Sequence, residues 1–305
     1  MGTVSHSEVE AYLICRRKHY YGYALNLQRV QTSSSLAIGS AGHAVLEAFY
    51  RVMLGAGYTN EAQRAEWNNA IKAAKKKYAD LVETGEYDHS DMRKCSLEFT
   101  LFDEAVGYFA QEKVVNAGFV VQAVEQEFNL LYDSDSHSCL PFVIDLIVRD
   151  PQGRTAIIDH KFVWDFYTPN DTGMQPQIPK YLAGLRALGY PASYGIYNML
   201  RTRKIKAPRP EQMSQTLVFS PTGARTLRTF EEQIGVAADL AALKLLPIEE
   251  QDKKAYRTAN KMVCQSCSFR DICDGELSGS NVEFLLNTDY QTRERKVFNF
   301  VSDRV

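Results

Sequence analysis

With 305 residues, 45% of them hydrophobic, and six scattered cysteines, the chain can bury a full-sized core and does not have the make-up of a small secreted disulfide scaffold. Its formal net charge of −2 excludes bulk positive charge as a route to nucleic acid, so such affinity has to come from a local basic patch and bound metal. No apolar stretch approaches the roughly 20 residues that span a bilayer and no leader is evident, so one domain over 1–305, cytoplasmic and without a membrane partner, is expected.

In chain order, Ser5-His6-Ser7-Glu8 reads as a capping box, and Val9, Tyr12, Leu13 and Tyr20 form the stripe of the helix it opens, which carries Cys15. After the polar stretch Gln31 to Ser35, Ser40 can cap a second helix running to about Gly55, with His43 in its first turn. Two helical patterns follow, Asn60 to Val82 and Ser96 to Asn116, the second closed by Gly118; they form a helical insertion over about 56–118. From Phe119 the texture turns to β-rich runs: Phe119 to Leu130, Pro141 to Arg149, Thr155 to Trp164, Tyr194 to Leu200 and Thr216 to Ser220. A helix from Gln175 to Leu188 separates the third run from the fourth, and a long helix spans Thr226 to Leu246. This order predicts an α/β fold, a central mixed β-sheet flanked by helices.

The runs ending at Arg149 and beginning at Thr155 are joined by Asp150-Pro151-Gln152-Gly153-Arg154, which has turn chemistry and predicts a hairpin. If Arg149 lies opposite Thr155, counting back places Asp145 across from Asp159, with Cβ atoms about 5 Å apart. Strand alternation puts Lys161 beside Asp159 and turns the His160 side chain to the other face. Like charges facing each other between apolar strands are destabilising, so the arrangement calls for a cation, and hard oxygen ligands favour Mg²⁺ or Mn²⁺. The alternative is a surface hairpin in which Asp145 and Lys161 form an ion pair worth at most about 1 kcal/mol. The apolar residues on both faces of these strands favour the metal reading.

Ile144-Asp145 followed by Asp159-His160-Lys161 resembles the Asp, then Asp/Glu-X-Lys signature of the PD-(D/E)XK nuclease superfamily. Gly39 to Glu47 resembles the G-x-x-x-H-x-x-L-E helix of RecB-like members, and Gln177 to Tyr181 resembles their Q-x-x-x-Y helix, in the family order. The resemblance implies a restriction-endonuclease-like core in which His43, Asp145, Asp159 and the His160 backbone carbonyl hold Mg or Mn. It implies that Lys161 orients or deprotonates the attacking water, and that Gln177 and Tyr181 support or contact the scissile strand. Glu125 and Glu127 lie on the preceding strand, where relatives often carry a Glu, and neither receives a ligand role.

Cys264, Cys267 and Cys273 give C-x2-C-x5-C, a metal-binding grouping that lacks a fourth local ligand. Four thiolates suit Zn²⁺ as well as iron-sulfur. Tyr12 to Tyr20 resembles the N-terminal C-P-x-K-(F/Y) helix of AddB-type and CRISPR-associated RecB-like nucleases, with Arg16 in place of proline. In those relatives one N-terminal and three C-terminal cysteines hold a [4Fe-4S] cluster, which implies that Cys15 joins Cys264, Cys267 and Cys273 in a staple of the two chain ends, centred on about 260–275. Cys95 and Cys139 read as inert thiols. Arg201, Arg203, Lys204, Lys206 and Arg209, and Arg16, Arg17 and Lys18, are basic groupings that suit phosphates or a solvated surface equally.

The resemblance implies a metal-dependent exonuclease acting on DNA, with a preference for single-stranded ends, in recombination, repair or replication. No G-x-x-x-x-G-K-[ST] occurs, so unwinding would fall to a helicase or recombination partner. Two other classes compete: a DNA-end-binding or spacer-capture module serving a helicase or integrase, and an iron-sulfur redox sensor. Intact Asp145, Asp159 and Lys161 favour the enzyme over the first.

Overall fold

The computed structural model describes residues 3–31, 34–54, 109–133, 138–169, 175–201 and 214–293, with isolated positions 61, 65, 68, 69, 72, 76, 209 and 212. Most of the expected insertion, Cys95 and the basic positions from Arg203 to Lys206 lie outside them. The chain divides into two compact units: Met1–Gln31, Phe128–Phe142 and Glu231–Val305 form one, and Thr32–Glu127 with Val143–Phe230 form the other. Among the described residues no helix is long and apolar enough to cross a membrane.

The first unit opens with α1 (His6–Ile14), whose N-terminus is capped by the Ser5 hydroxyl accepting the Glu8 N–H at 3.2 Å. Glu8 does not complete the capping box. Its carboxylate is buried instead, 3.1 Å from His19 Nε2 and 2.8 Å from Lys244 Nζ, contacts that offset the loss of water around the charge. Burial pushes the Glu8 carboxyl up, and His19 with Lys244 outweighs it, leaving it below its ordinary value. Cys15 is not on a helix. It is the extended residue between α1 and α2 (Arg16–His19), because the Thr258 hydroxyl takes the Ile14 carbonyl and the Tyr256 carbonyl takes the Arg17 N–H, which turns the chain there. A π-helical turn, Tyr20–Ala24, and β1 (Leu27–Arg29) follow.

The long helix α5 (Gly223–Lys244) contributes Ala237 and Leu240 to a core with Val4, Val9 and Leu140. Four short helices, α6 (Ile248–Lys253), α7 (Lys261–Gln265), α8 (Arg270–Ser278) and α9 (Val282–Asp289), follow it and precede β7 (Tyr290–Thr292), which pairs antiparallel with β1. Tyr21, Phe269, Ile272 and Tyr290 form a second core, against which Cys267 and Cys273 pack. Arg17, counted among the basic groups that suit phosphates, is consumed here: it binds Tyr21, Asp252 and Glu276.

In the second unit α3 (Ser34–Val52) starts before the expected cap at Ser40, so His43 falls in mid-helix and not in its first turn. The sheet takes strands β2 (Val120–Asp133), β3 (Ser138–Arg149), β4 (Thr155–Val163), β5 (Ala192–Arg201) and β6 (Ser214–Phe219) in the order β2-β3-β4-β5-β6. It is mixed, as expected: β4 runs antiparallel to β3 and parallel to β5, and β5 antiparallel to β6. The hairpin turn forms because Asp150 Oδ1 accepts the N–H groups of Gln152 and Arg154, and Gly153 supplies a φ of +80°. The crossover from β4 to β5 contains α4 (Gln177–Ala187), as a parallel pair requires.

Helix α4 lies so close to β5 that a Cβ at Gly195 would stand 2.4 Å from Ile178 Cγ2. Gly195→Ala is therefore expected to destabilise the fold by about 1–3 kcal/mol, read as a lower urea midpoint at unchanged slope.

Candidate metal centre

The hairpin sets the positions of the acidic groups. Its register, Arg149↔Thr155 through Leu146↔Ile158, makes Asp145 and Asp159 the next residues on the two strands, as the turn predicts. Asp145 Oδ2 accepts the His160 backbone N–H at 2.7 Å, which fixes that carboxylate. It lies 3.6 Å from His43 Nδ1 on α3. Glu125 on β2 enters from the other side, with Oε1 3.7 Å from the same His43 nitrogen. One ligand atom each from His43, Glu125 and Asp145 lies within 4.8 Å of the others, a grouping able to hold a metal ion.

Glu125 reaches this position through an unusual backbone. Its φ is +46°, in the left-handed region, and its neighbours Gln126 and Glu127 are both exposed, so strand alternation breaks here. Strain of this kind costs of order 1–3 kcal/mol and collects where a side chain has to be aimed. Glu127 faces solvent. Spacing alone leaves the two glutamates equivalent; the left-handed turn that separates them is invisible in sequence.

Electrostatics shows what the trio lacks. Burial pushes the Asp145 carboxyl up, and the neighbouring Asp159 adds to it, to about 7, against the opposing pull of His43. Burial lowers the His43 imidazole, but Glu125 and Asp145 outweigh burial and raise it. A carboxyl held up in this way is relieved by a cation, and a nitrogen with carboxylate oxygens can hold a divalent metal ion.

Asp159 is 3% exposed and is not part of that grouping, its Oδ2 2.8 Å from Lys161 Nζ. Lys161 Nζ donates to Gln177 Oε1 at 2.6 Å, and Gln177 Nε2 donates to the Tyr181 hydroxyl at 3.0 Å. The fourfold spacing of Gln177 and Tyr181 on α4 thus continues a chain of contacts that begins at Asp159. His160 turns its ring away from Asp159 and Lys161, as alternation requires. The ring is buried, 2.9 Å from Asn198 Nδ2, parallel to Tyr50 at 5.9 Å and edge-on to His43 at 6.2 Å. Burial, with His43 and Lys161 adding, drives its pKa well below the usual value, so it is neutral.

The first unit holds Cys15, Cys139, Cys264, Cys267 and Cys273. At Cys15, burial raises the thiol, but Thr258 and the N–H groups of Lys18 and Arg17 outweigh it and hold the thiol below its ordinary value. Cys267 is pushed up by burial, with Cys15 and Cys273 adding charge repulsion. Arg257 Nε donates to Cys273 Sγ at 3.1 Å, and Cys264 is exposed, its carbonyl accepting the Cys267 N–H. Cys139 is buried apart from this set, beside Thr3.

No curated protein matches the sequence. Among solved structures, one similar chain is described as the crystal structure of SSO0001, at 14% identity and a TM-score of 0.32, covering 86% of this chain and 94% of that one. The family model of the PD-(D/E)XK nuclease superfamily matches residues 3–274, spanning the metal trio, the Asp159–Lys161 pair and the cysteines. The chain belongs to the PD-(D/E)XK nuclease superfamily.

Proposed function

We propose that the chain is a Mg- or Mn-dependent deoxyribonuclease of the RecB-like type, an exonuclease acting on single-stranded DNA ends in recombination, repair or replication. The observation that carries this reading is the convergence at one hairpin of a metal-binding trio, His43, Glu125 and Asp145, with the chain Asp159–Lys161–Gln177–Tyr181. His43, Glu125, Asp145 and Asp159 would hold the cation, with the His160 carbonyl as a further oxygen. When bound, the cation supplies an acidified water and charge neutralisation at the phosphate.

Lys161 Nζ orients the attacking water and neutralises charge at the phosphate, and Gln177 Oε1 and Asp159 Oδ2 keep that nitrogen in place. Tyr181 holds Gln177 in turn. His160 fixes Asp145 through its backbone N–H, and its neutral ring adds no competing charge. Cys15, Cys264, Cys267 and Cys273 would hold a [4Fe-4S] cluster in a structural role. A helicase or recombination partner would supply unpaired strands, since the sequence has no P-loop.

The test is direct. Purified protein with Mg²⁺ or Mn²⁺ is expected to release label from the ends of 5′- or 3′-labelled single strands, and EDTA to stop it. Metal-independent release, or no release from any DNA, would overturn the proposal.

A further inference from the structure

Strand β4 does not stop at Lys161. It runs on to Val163, and the next residue, Trp164, is 63% exposed. An indole left in water forgoes one of the largest burial gains any side chain offers, and a ligand that covers it recovers that gain. The segment carrying Trp164 is tied down on its far side. The Arg201 guanidinium lies 4.1 Å over the Phe166 ring, its Nη2 is 3.5 Å from the Asp165 carboxylate, and the Tyr167 N–H donates to Met199 Sδ at 3.2 Å.

The β4–β5 register pairs Lys161 with Met199 and Val163 with Arg201. Paired residues of adjacent strands share a face, so Arg201 lies on the Lys161 and Asp159 side of the sheet, two residues further along. Trp164 follows Val163 on an anchored segment, about 10 Å of extended chain from Lys161. Arg201 also offsets the charge of Asp165, which would otherwise repel a phosphate near the ring.

We propose that Trp164 is a stacking platform for an unpaired base next to the scissile phosphate, and that this is how the site selects single-stranded DNA. The proposal rests on the nuclease reading and names its substrate class. Stacking on an aromatic face tolerates any base, which suits an enzyme that degrades a strand regardless of sequence. A paired duplex occupies the faces of its bases in its own stack, so a free strand can lay a base on Trp164 where an intact duplex cannot.

The chain has two tryptophans, Trp67 and Trp164, which makes the contact observable. In a Trp67→Phe variant with EDTA present, oligo(dT) is expected to quench the remaining tryptophan. Trp164→Ala is expected to weaken oligo(dT) binding roughly 5- to 100-fold, with Trp164→Phe recovering most of it. Irradiation of wild-type protein with iodouracil-substituted oligo(dT) should give an adduct at Trp164, which keeps the test open if Trp67→Phe does not fold. Equal binding by Trp164→Ala, or adducts formed only elsewhere, overturns the platform. Tighter binding of oligo(U) RNA or of blunt duplex overturns the assignment to single-stranded DNA. All of these readings are made without metal or cleavage, so an inactive but DNA-binding protein would count against the nuclease proposal and leave the platform standing.

Discussion

Lys161→Ala is expected to lower metal-dependent DNA cleavage by about 100- to 10,000-fold while leaving the fold and the metal affinity in place. The side chain is partly exposed, and its contacts include the Asp159 carboxylate and the Gln177 amide oxygen, so its loss removes a water-orienting, charge-neutralising group without opening the core. Glu125→Gln acts on the other half of the site. It removes a carboxylate from the trio and is expected to raise the Mn²⁺ concentration needed for half-maximal cleavage, with a smaller effect at saturating metal. Metal titrations on both variants separate the two roles. The pH dependence has a defined sign: Asp145 has to lose a proton whose pKa is about 7 in the metal-free protein, so the Mn²⁺ requirement should climb as pH falls below that value. Wild-type cleavage by Lys161→Ala would remove that residue from the chemistry.

The hairpin was legible because a five-residue turn and strand alternation leave little freedom: fixing Arg149 opposite Thr155 places Asp145, Asp159 and Lys161 by counting. Gln177 and Tyr181 were legible for the same reason, a fixed helical spacing. What sequence periodicity could not reach depends on backbone departures from regularity. Glu125 is aimed by a left-handed residue within a strand, and Cys15 is turned out of its helix by contacts from Thr258 and Tyr256, more than 240 residues away in sequence. The early start of α3 shows a local signal overridden: the helix already runs from Ser34, so Ser40 sits in its interior and not at its cap. Glu8 shows the same. It occupies the capping-box position, yet a buried His19 and Lys244 draw its carboxylate away, an outcome set by tertiary packing and not by the local motif.

Cys267→Ser is expected to abolish iron binding and to destabilise the unit that contains it by roughly 3–5 kcal/mol, seen as a lower Tm and the loss of visible absorbance in anaerobically purified protein. The size follows from chain topology. A shared metal group joining Cys15 to Cys264, Cys267 and Cys273 closes a loop of nearly the whole sequence, and the unfolded state loses conformational entropy that grows as the logarithm of that length. The thiols differ in their electrostatics. Cys267 is disfavoured as a thiolate by burial and by Cys15 and Cys273, while Cys15 is favoured as one by Thr258 and the N–H groups of Lys18 and Arg17. The proposed cluster would resolve that opposition, because every thiolate would gain a positive neighbour. Arg257 at Cys273 offsets only one of the charges. Cys139→Ser is the control: that thiol lies apart beside Thr3, so its replacement should leave metal content unchanged. Protein that carries zinc and no iron would replace the cluster with a tetrathiolate zinc site, and equal iron content in Cys267→Ser would remove this cysteine from the ligand set.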